Sequence, residues 1–459
     1  PHACRARRSR AGQERMSDLF IIGASGTRAY RQAMAAISEN IANASTDGYS
    51  RRSLTTVESG SSTATMATYI SRANFGGTEV SGVVRAADPY LDATVRYTGM
   101  ALSSSTARLR WMSDIEGALN DTDTGIGKLM TGMFQNIDKL AASPNDRSLR
   151  VTTLDSISRV AEAFQRTSAD LAQVSAGIGT EAQASVETIN RSLSQLANIN
   201  NSLLRSQPGT SAYAQLLDSR DAALNTLSAN LNVDISFGAH DQAQISFNGQ
   251  SLVQGNAATT VALTVNANGT LALATSGGTA LTAPANGTLG GLFSAASTTA
   301  QRRTSLDTLA QQFVTDINAW HAQGRTDPNA AGGALLSGTS AASVTALITD
   351  PAALATKSAD GTLNGNLLTA STVLRGNGSV EQGWTSLIAT QGNLLASVKA
   401  EQSTAQSRSD QAIAAREAVS GVDLDMEAAE LLRLEQAYSG SAKILQVAKE
   451  TVDAILQII

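Results

Sequence analysis

Apolar residues recur along most of this chain at helical spacing, and one central block switches to the alternation of strands. From Asp18 to about Ala44, the residues Tyr30, Met34, Ile37, Ile41 and Ala44 form a seam that faces one way along a slightly supercoiled helix. Ser17 or Asp18 can cap its start. The run Asn43-Ala44-Ser45-Thr46-Asp47-Gly48-Tyr49 ends it, because Asn tolerates left-handed backbone and Asp-Gly turns the chain. Residues 53–87 are rich in Ser, Thr and Gly with short β-branched stretches, which predicts extended segments and turns. Asp88-Pro89 then opens a helix, and a second covers roughly 126–142. The longest helical pattern spans about 145–206 until Gln207-Pro208-Gly209 stops it, and a shorter helix returns through Leu231.

Near Asn232 the period becomes two. Val233, Ile235 and Phe237 alternate, as do Ile245 and Phe247, then Val261, Leu263 and Val265. Asn248-Gly249 and Asn268-Gly269 between such runs are strong hairpin signals. Helical spacing resumes at 298, and the final helix, from Val422, carries a heptad row of Leu424, Leu431, Tyr438, Leu445, Val452 and Ile459. Its companion row is Glu427, Leu434, Ser441, Ala448 and Ile455, with two polar exceptions. The expected fold is mainly α: an elongated helical bundle with terminal coiled-coil helices and a small inserted antiparallel β domain. Residues 1–15 are read as a disordered leader upstream of a plausible start at Met16. An N-terminal coiled-coil segment follows over 16–52, then an extended segment and rod-like bundle over 53–231. The β domain occupies 232–297, helices over 298–323 and 381–420 return to the rod, and a Gly/Ala/Ser/Thr-rich surface loop fills 324–380. The C-terminal coiled coil is 421–459.

Composition narrows the chemistry. A length of 459 residues allows about three structural units, and an aromatic content of 4 % suits helices packed through small side chains better than a deep aromatic pocket. The net charge is −5 although the first fifteen residues hold five arginines, so the body is acidic and no nucleic-acid partner is expected. Cys4 is the single cysteine, which excludes a disulfide framework. His2, His240 and His321 lie far apart and read as surface or loop residues. Gly125-Ile126-Gly127-Lys128-Leu129 lacks the Ser or Thr of a phosphate loop, and no nucleophile elbow occurs. Asp423, Asp425, Glu427 and Glu430 read as a solvated face. No catalytic, cofactor-binding or metal-ligating residue emerges, so an enzyme is not expected. No apolar run is long enough to insert in a membrane, and Leu19-Phe20-Ile21-Ile22 is too short for the core of a cleaved signal peptide.

The two ends resemble a known family. Leu19–Tyr30 followed by Ile37-Ser38-Glu39-Asn40-Ile41-Ala42-Asn43-Ala44-Ser45-Thr46-Asp47-Gly48-Tyr49-Ser50-Arg51 resembles the N-terminal signature of bacterial flagellar rod, hook and hook-associated proteins. Asn40, Ile41, Asn43, Thr46, Gly48 and Tyr49 fall on motif positions, and Asp47 stands where Pro is frequent. Gly421-Val422-Asp423-Leu424-Asp425, Glu427-Ala428-Ala429, Leu431-Leu432 and Gln436-Ala437-Tyr438 are similar to the matching C-terminal signature. Within that family, the hook–filament junction members are similar in Phe75–Val84 with Arg85, Asp88 and Leu91, in Pro144-Asn145-Asp146 with Arg150, and in Gln215–Asp221. So are Gly287–Leu292 and Ile317–His321. The resemblance covers nearly all of Met16–Ile459 except 324–380, a stretch that looks too short for the outer β domain of larger members.

What the resemblance implies is a structural adaptor of the bacterial flagellum, joining the flexible hook to the filament. It would be secreted without a cleaved signal peptide by the flagellar export apparatus, served by an export chaperone, and would lie outside the cell. It would assemble with its own copies into a ring, between the hook protein on one side and a second junction protein on the other. The expected assembly residues are Tyr30, Met34, Ile37, Asn40, Ile41, Asn43, Thr46, Gly48 and Tyr49 at one end. At the other they are Leu424, Leu431, Leu434, Tyr438, Leu445, Val452, Ile455 and Ile459. Alternatives are another axial protein, of the hook or distal rod, or a surface adhesin on a helical stalk.

Overall fold

A computed structural model of the chain describes residues 2–46, 48–58 and 76–457, with side chains from Leu19 onward. Helix α1 (His2–Ala42) is followed by an antiparallel pair, β1 (Arg52–Glu58) and β2 (Thr78–Arg85). The rod then begins with α2 (Pro89–Ala118), α3 (Ile126–Ala142), α4 (Arg147–Leu203) and α5 (Ser211–Asn230). Caps set these starts. The Asp88 carboxylate accepts from Tyr90 N at 2.8 Å and Leu91 N at 3.3 Å. Asp146 accepts from Ser148 N at 2.7 Å, and Thr210 Oγ1 from Tyr213 N at 3.2 Å. At 57 residues, α4 is about 85 Å long. It sets the length of the rod and packs against α3, α5 and α6.

The inserted β domain is two small antiparallel sheets laid on α4. One is β3 (Asp234–Phe237), β4 (Ala243–Phe247), β5 (Gln250–Gln254) and β6 (Ala257–Ala258). The other is β7 (Val261–Val265), β8 (Leu271–Thr275) and β9 (Ala280–Leu281). Asn248 and Gly249 both have positive φ (48° and 80°), the geometry of a tight hairpin turn. Two asparagines of α4 fasten the sheets. Asn200 donates to Ala243 O and accepts from Ala243 N, both at 2.8 Å, while Asn190 does the same to Val261 at 2.9 and 2.8 Å. Each thereby satisfies the backbone of one strand residue.

The chain returns through α6 (Gly287–Gln323), the two-residue strands β10 (Leu336–Ser337) and β11 (Thr345–Ala346), and α7 (Gly365–Leu374). It ends with α8 (Val380–Ser420) and α9 (Leu424–Leu456). Helix α2 packs on both α6 and α8. The core runs the length of the rod, from Leu203 and Leu224 at one end through Trp111 and Ile115 to Phe164, Phe313 and Trp320 at the other. Phe164 and Phe313 lie 5.6 Å apart between ring centroids.

Four expectations are corrected. Residues 2–15 are helical rather than disordered: they continue α1, as their Ala, Arg, Gln and Glu content favours. Helix α6 starts at Gly287 rather than 298; its glycines hide the pattern but permit the crossing, since a Cβ at Gly291 would lie 2.3 Å from Ser104 O. Residues 324–380 are not a surface loop. Leu335, Leu336, Val344, Leu354 and Leu367 are buried there, at spacings set by contact with the end of the rod rather than by any period. His321 is fully buried.

Candidate assembly interface

The two chain ends meet along α1 and α9. The face of α1 turned inward is a row of small residues, Gly23, Gly26, Ala29 and Ala36, closed by Ile37 and Asn40. The fit is tight: a Cβ on Gly23 would come within 2.8 Å of Leu445 Cγ, and one on Gly26 within 2.8 Å of Ser441 Oγ. Opposite them, α9 buries Glu427, Leu434 and Ala448, with Leu431, Tyr438, Leu445 and Val452 half-buried alongside. Tyr30 and Met34 are likewise half-buried. Ile41 and Leu424, expected in the seams, are exposed instead. The glycine row pulls α9 to its own side of α1, so the seam rotates away from both. The side chain of Ile455 and the whole of Ile459 lie outside the described residues.

A buried polar hub joins this pair to the rod. Asn40 Nδ2 donates to Arg52 O at 2.8 Å and to Glu427 Oε2 at 3.0 Å, while its Oδ1 accepts from Arg52 N at 2.9 Å and from the Tyr49 hydroxyl at 2.8 Å. All the hydrogen-bonding capacity of that amide is therefore used. Arg51 pairs with Glu427 at 2.5 Å. Arg52 pairs with Glu39 and, at 2.7 Å, with Asp218 of α5; Arg85 of β2 reaches Asp218 at 2.8 Å and Asp221 at 2.9 Å. The backbone of Arg51 also donates to Ser420 O, the last residue of α8, at 2.9 Å. Burial, with the nearby carboxylates of Glu39, Asp218 and Glu427 adding to it and Arg52 opposing, pushes the Tyr49 hydroxyl up to about 12. It stays protonated and donates to Asn40.

The turn between α1 and β1 works as its composition requires. Asn43 Nδ2 donates back to Glu39 O at 2.9 Å, Thr46 N donates to Asn43 O at 2.9 Å, and Gly48 takes φ 78°. Asn40, Asn43, Thr46, Gly48 and Tyr49 thus sit together at the base of the terminal pair. Sequence reasoning missed Glu427, read as solvated but fully buried, as well as Arg51, Arg52, Arg85 and Asp218. The available signal was a carboxylate on a seam position with two consecutive arginines beyond the facing helix.

The outer faces of the pair remain apolar. Leu19 and Ile21 of α1 are exposed, as are Met426, Leu432 (61 %), Val447 and Leu456 (65 %) of α9. Among the described residues no His, Cys, Asp and Glu group could hold a metal ion, and no helix is long and apolar enough to cross a membrane.

Residues 112–336, most of the rod with its β domain, match the family model for the flagellar hook-associated protein FlgK helical domain, and residues 21–49 match that for the flagella basal body rod protein. Just under half of the chain is thus similar to the helical domain of flagellar hook-associated proteins. The chain is 27 % identical to flagellar hook-associated protein 1 of Salmonella typhimurium over 322 residues, 67 % of this chain and 57 % of the relative. To the Escherichia coli protein of that name it is 28 % identical over 247 residues, 53 % of this chain and 44 % of the relative. The Bacillus subtilis protein is 27 % identical over 212 residues, 46 % of this chain and 42 % of the relative. The chain thus spans about half the length of the curated relatives it matches. The solved flagellar hook junction protein FlgK of Burkholderia pseudomallei superposes with a TM-score of 0.64 at 15 % identity, covering 72 % of this chain and all of that one. That likeness concerns the fold. The rod-protein match at 21–49 ends on Tyr49, so it covers the helix and turn that build the polar hub.

Proposed function

We propose that the chain is a structural adaptor of the bacterial flagellum, placed between hook and filament. The observation that carries this reading is the FlgK helical-domain match across residues 112–336, the stretch that forms most of the rod. In this proposal α1 and α9 form the inner element, and their exposed apolar residues are covered by the same helices of neighbouring copies in a ring. The hub of Asn40, Tyr49, Arg51, Arg52 and Glu427 fixes the angle between that inner element and the rod, so load passes from the axis into a stiff column. The ring would contact the hook protein on one side and a second junction protein on the other. Export by the flagellar apparatus with an export chaperone, to a place outside the cell, belongs to the same proposal.

The test is a strain whose only copy carries Leu432→Asp, a change at an exposed site that leaves the isolated fold intact. Complete hooks without filaments, with filament subunit shed into the medium, are expected. Normal filaments would overturn the adaptor reading.

A further inference from the structure

At the end of α6 a fully buried imidazole bridges two stretches of the returning segment, which Asn318, Gln165 and Arg150 also tie to the rod. His321 Nδ1 lies 2.6 Å from Gly333 O, and its Nε2 accepts from Ala355 N at 2.8 Å. A carbonyl can only accept and an N–H can only donate, so the ring is held as the neutral tautomer protonated on Nδ1. The contacts around it tighten the same junction. Asn366 Nδ2 donates to Ala355 O at 2.8 Å, and Trp320 Nε1 donates to Asn366 O at 3.0 Å. Gly332 lies so close to the His321 carbonyl that a Cβ would come within 2.1 Å.

We propose that His321 is an acid-sensitive latch that holds residues 324–366 against the end of the rod and releases them when the ring gains a second proton. A proton on Nε2 would face the Ala355 N–H, replacing a hydrogen bond with two opposed donors inside a fully buried site. The charged residues of the surrounding segments are Asp316 on α6, Arg325 and Asp327 after it, Asp350 and Lys357 on the returning turn, and Asp360 before α7. Among the described residues none hydrogen-bonds the ring: Asp327 is paired with Arg150 at 2.7 Å, and Lys357 Nζ donates to Asp327 O at 3.1 Å. Burial accordingly lowers the affinity of the ring for a proton, with the Gly333 carbonyl acting weakly the other way.

The direction of the pH effect follows. Above the ordinary histidine value of about 6.5 the imidazole is neutral in both folded and open forms, and the latch is at full strength. As pH falls below that value the open form binds the proton first. The latch is lost as pH descends through the depressed value of the closed form. Leu335, Leu336, Val344 and Leu354, buried when it is closed, would then be uncovered while the core around α4 persists, a local opening rather than global unfolding.

Hydrogen exchange of the full chain at about pH 7.5 and about pH 5, corrected for the intrinsic rates, reads this directly. Amides of 333–366 are expected to lose about tenfold or more of their protection at the lower pH, while those of α4 keep theirs. His321→Gln should abolish the difference between the two pH values, and His240→Gln, at an exposed histidine, should leave it as in wild type. Should His321→Gln fail to fold, the ring proton resonances of His321 in the wild-type chain decide. A midpoint below the ordinary value that coincides with loss of protection supports the latch. Protection that persists after the ring has titrated, or equal acid sensitivity in His321→Gln, overturns it.

Discussion

Helix α4 buries large side chains on one face from Leu154 to Leu203, with Phe164, Leu171, Ile178, Ile189 and Leu196 fully enclosed. Helix α1 meets its partner α9 through glycine and alanine, and leaves Leu19 and Ile21 outside. Both are long helices of a mainly α chain, yet the first draws its stability from the apolar area it hides within the molecule. The second uses close backbone approach and a buried polar hub to fix direction, and keeps much of its apolar area in reserve. One region is finished by its own sequence; the other is specified in orientation and left open in burial.

The contrast can be broken most sharply in the rod. Phe164→Ala removes a fully buried ring that packs against Phe313, and about 4 kcal/mol of global stability should be lost, read from the urea midpoint. A loss below about 1 kcal/mol would mean that the rod core is as loosely filled as the terminal pair. Glu427→Ala comes next. It strips Arg51 and Asn40 of a buried partner, and because Arg51 retains access to water the cost should be about 2 kcal/mol. That cost should fall on the terminal pair alone: faster hydrogen exchange in α1 and α9, with the urea midpoint of the rod unmoved. Equal loosening of α4 would show that the hub supports the rod and not merely the joint.

The smallest effects carry opposite signs. Gly23→Val places side-chain atoms against Leu445 and should loosen the pair by about 1 kcal/mol, since overpacking outweighs the gain in helix propensity. Gly132→Ala in α3 meets nothing within 4 Å and should stabilise the rod by up to about 1 kcal/mol. The same sign at both positions, measured by exchange and by urea, would erase the distinction between a helix packed by approach and one packed by volume.

The local code was legible at the caps and turns. Asp88-Pro89, Asp146 and Pro208-Gly209 mark helix limits, and Asn248-Gly249 marks a hairpin, because caps and turns are settled by neighbours within four residues. The heptads of α9 likewise announced that one side must be covered. Tertiary structure decided which side. Leu424 and Ile41 satisfy the same periodicity as Leu434 and Ile37, but only the latter are buried between α1 and α9, and a period cannot say where a partner approaches closest. Glu427 and His321 read as solvent-exposed, and Asn200 carried no sign of a strand to hold. Each is buried by groups far away in sequence: Arg51 for Glu427, Ala355 for His321 and Ala243 for Asn200. The sequence by itself determined where helices and turns form, since those depend on backbone and side-chain preferences over a few residues. Burial of a polar group depends on partners brought from tens to hundreds of residues away, and only the folded chain supplies them.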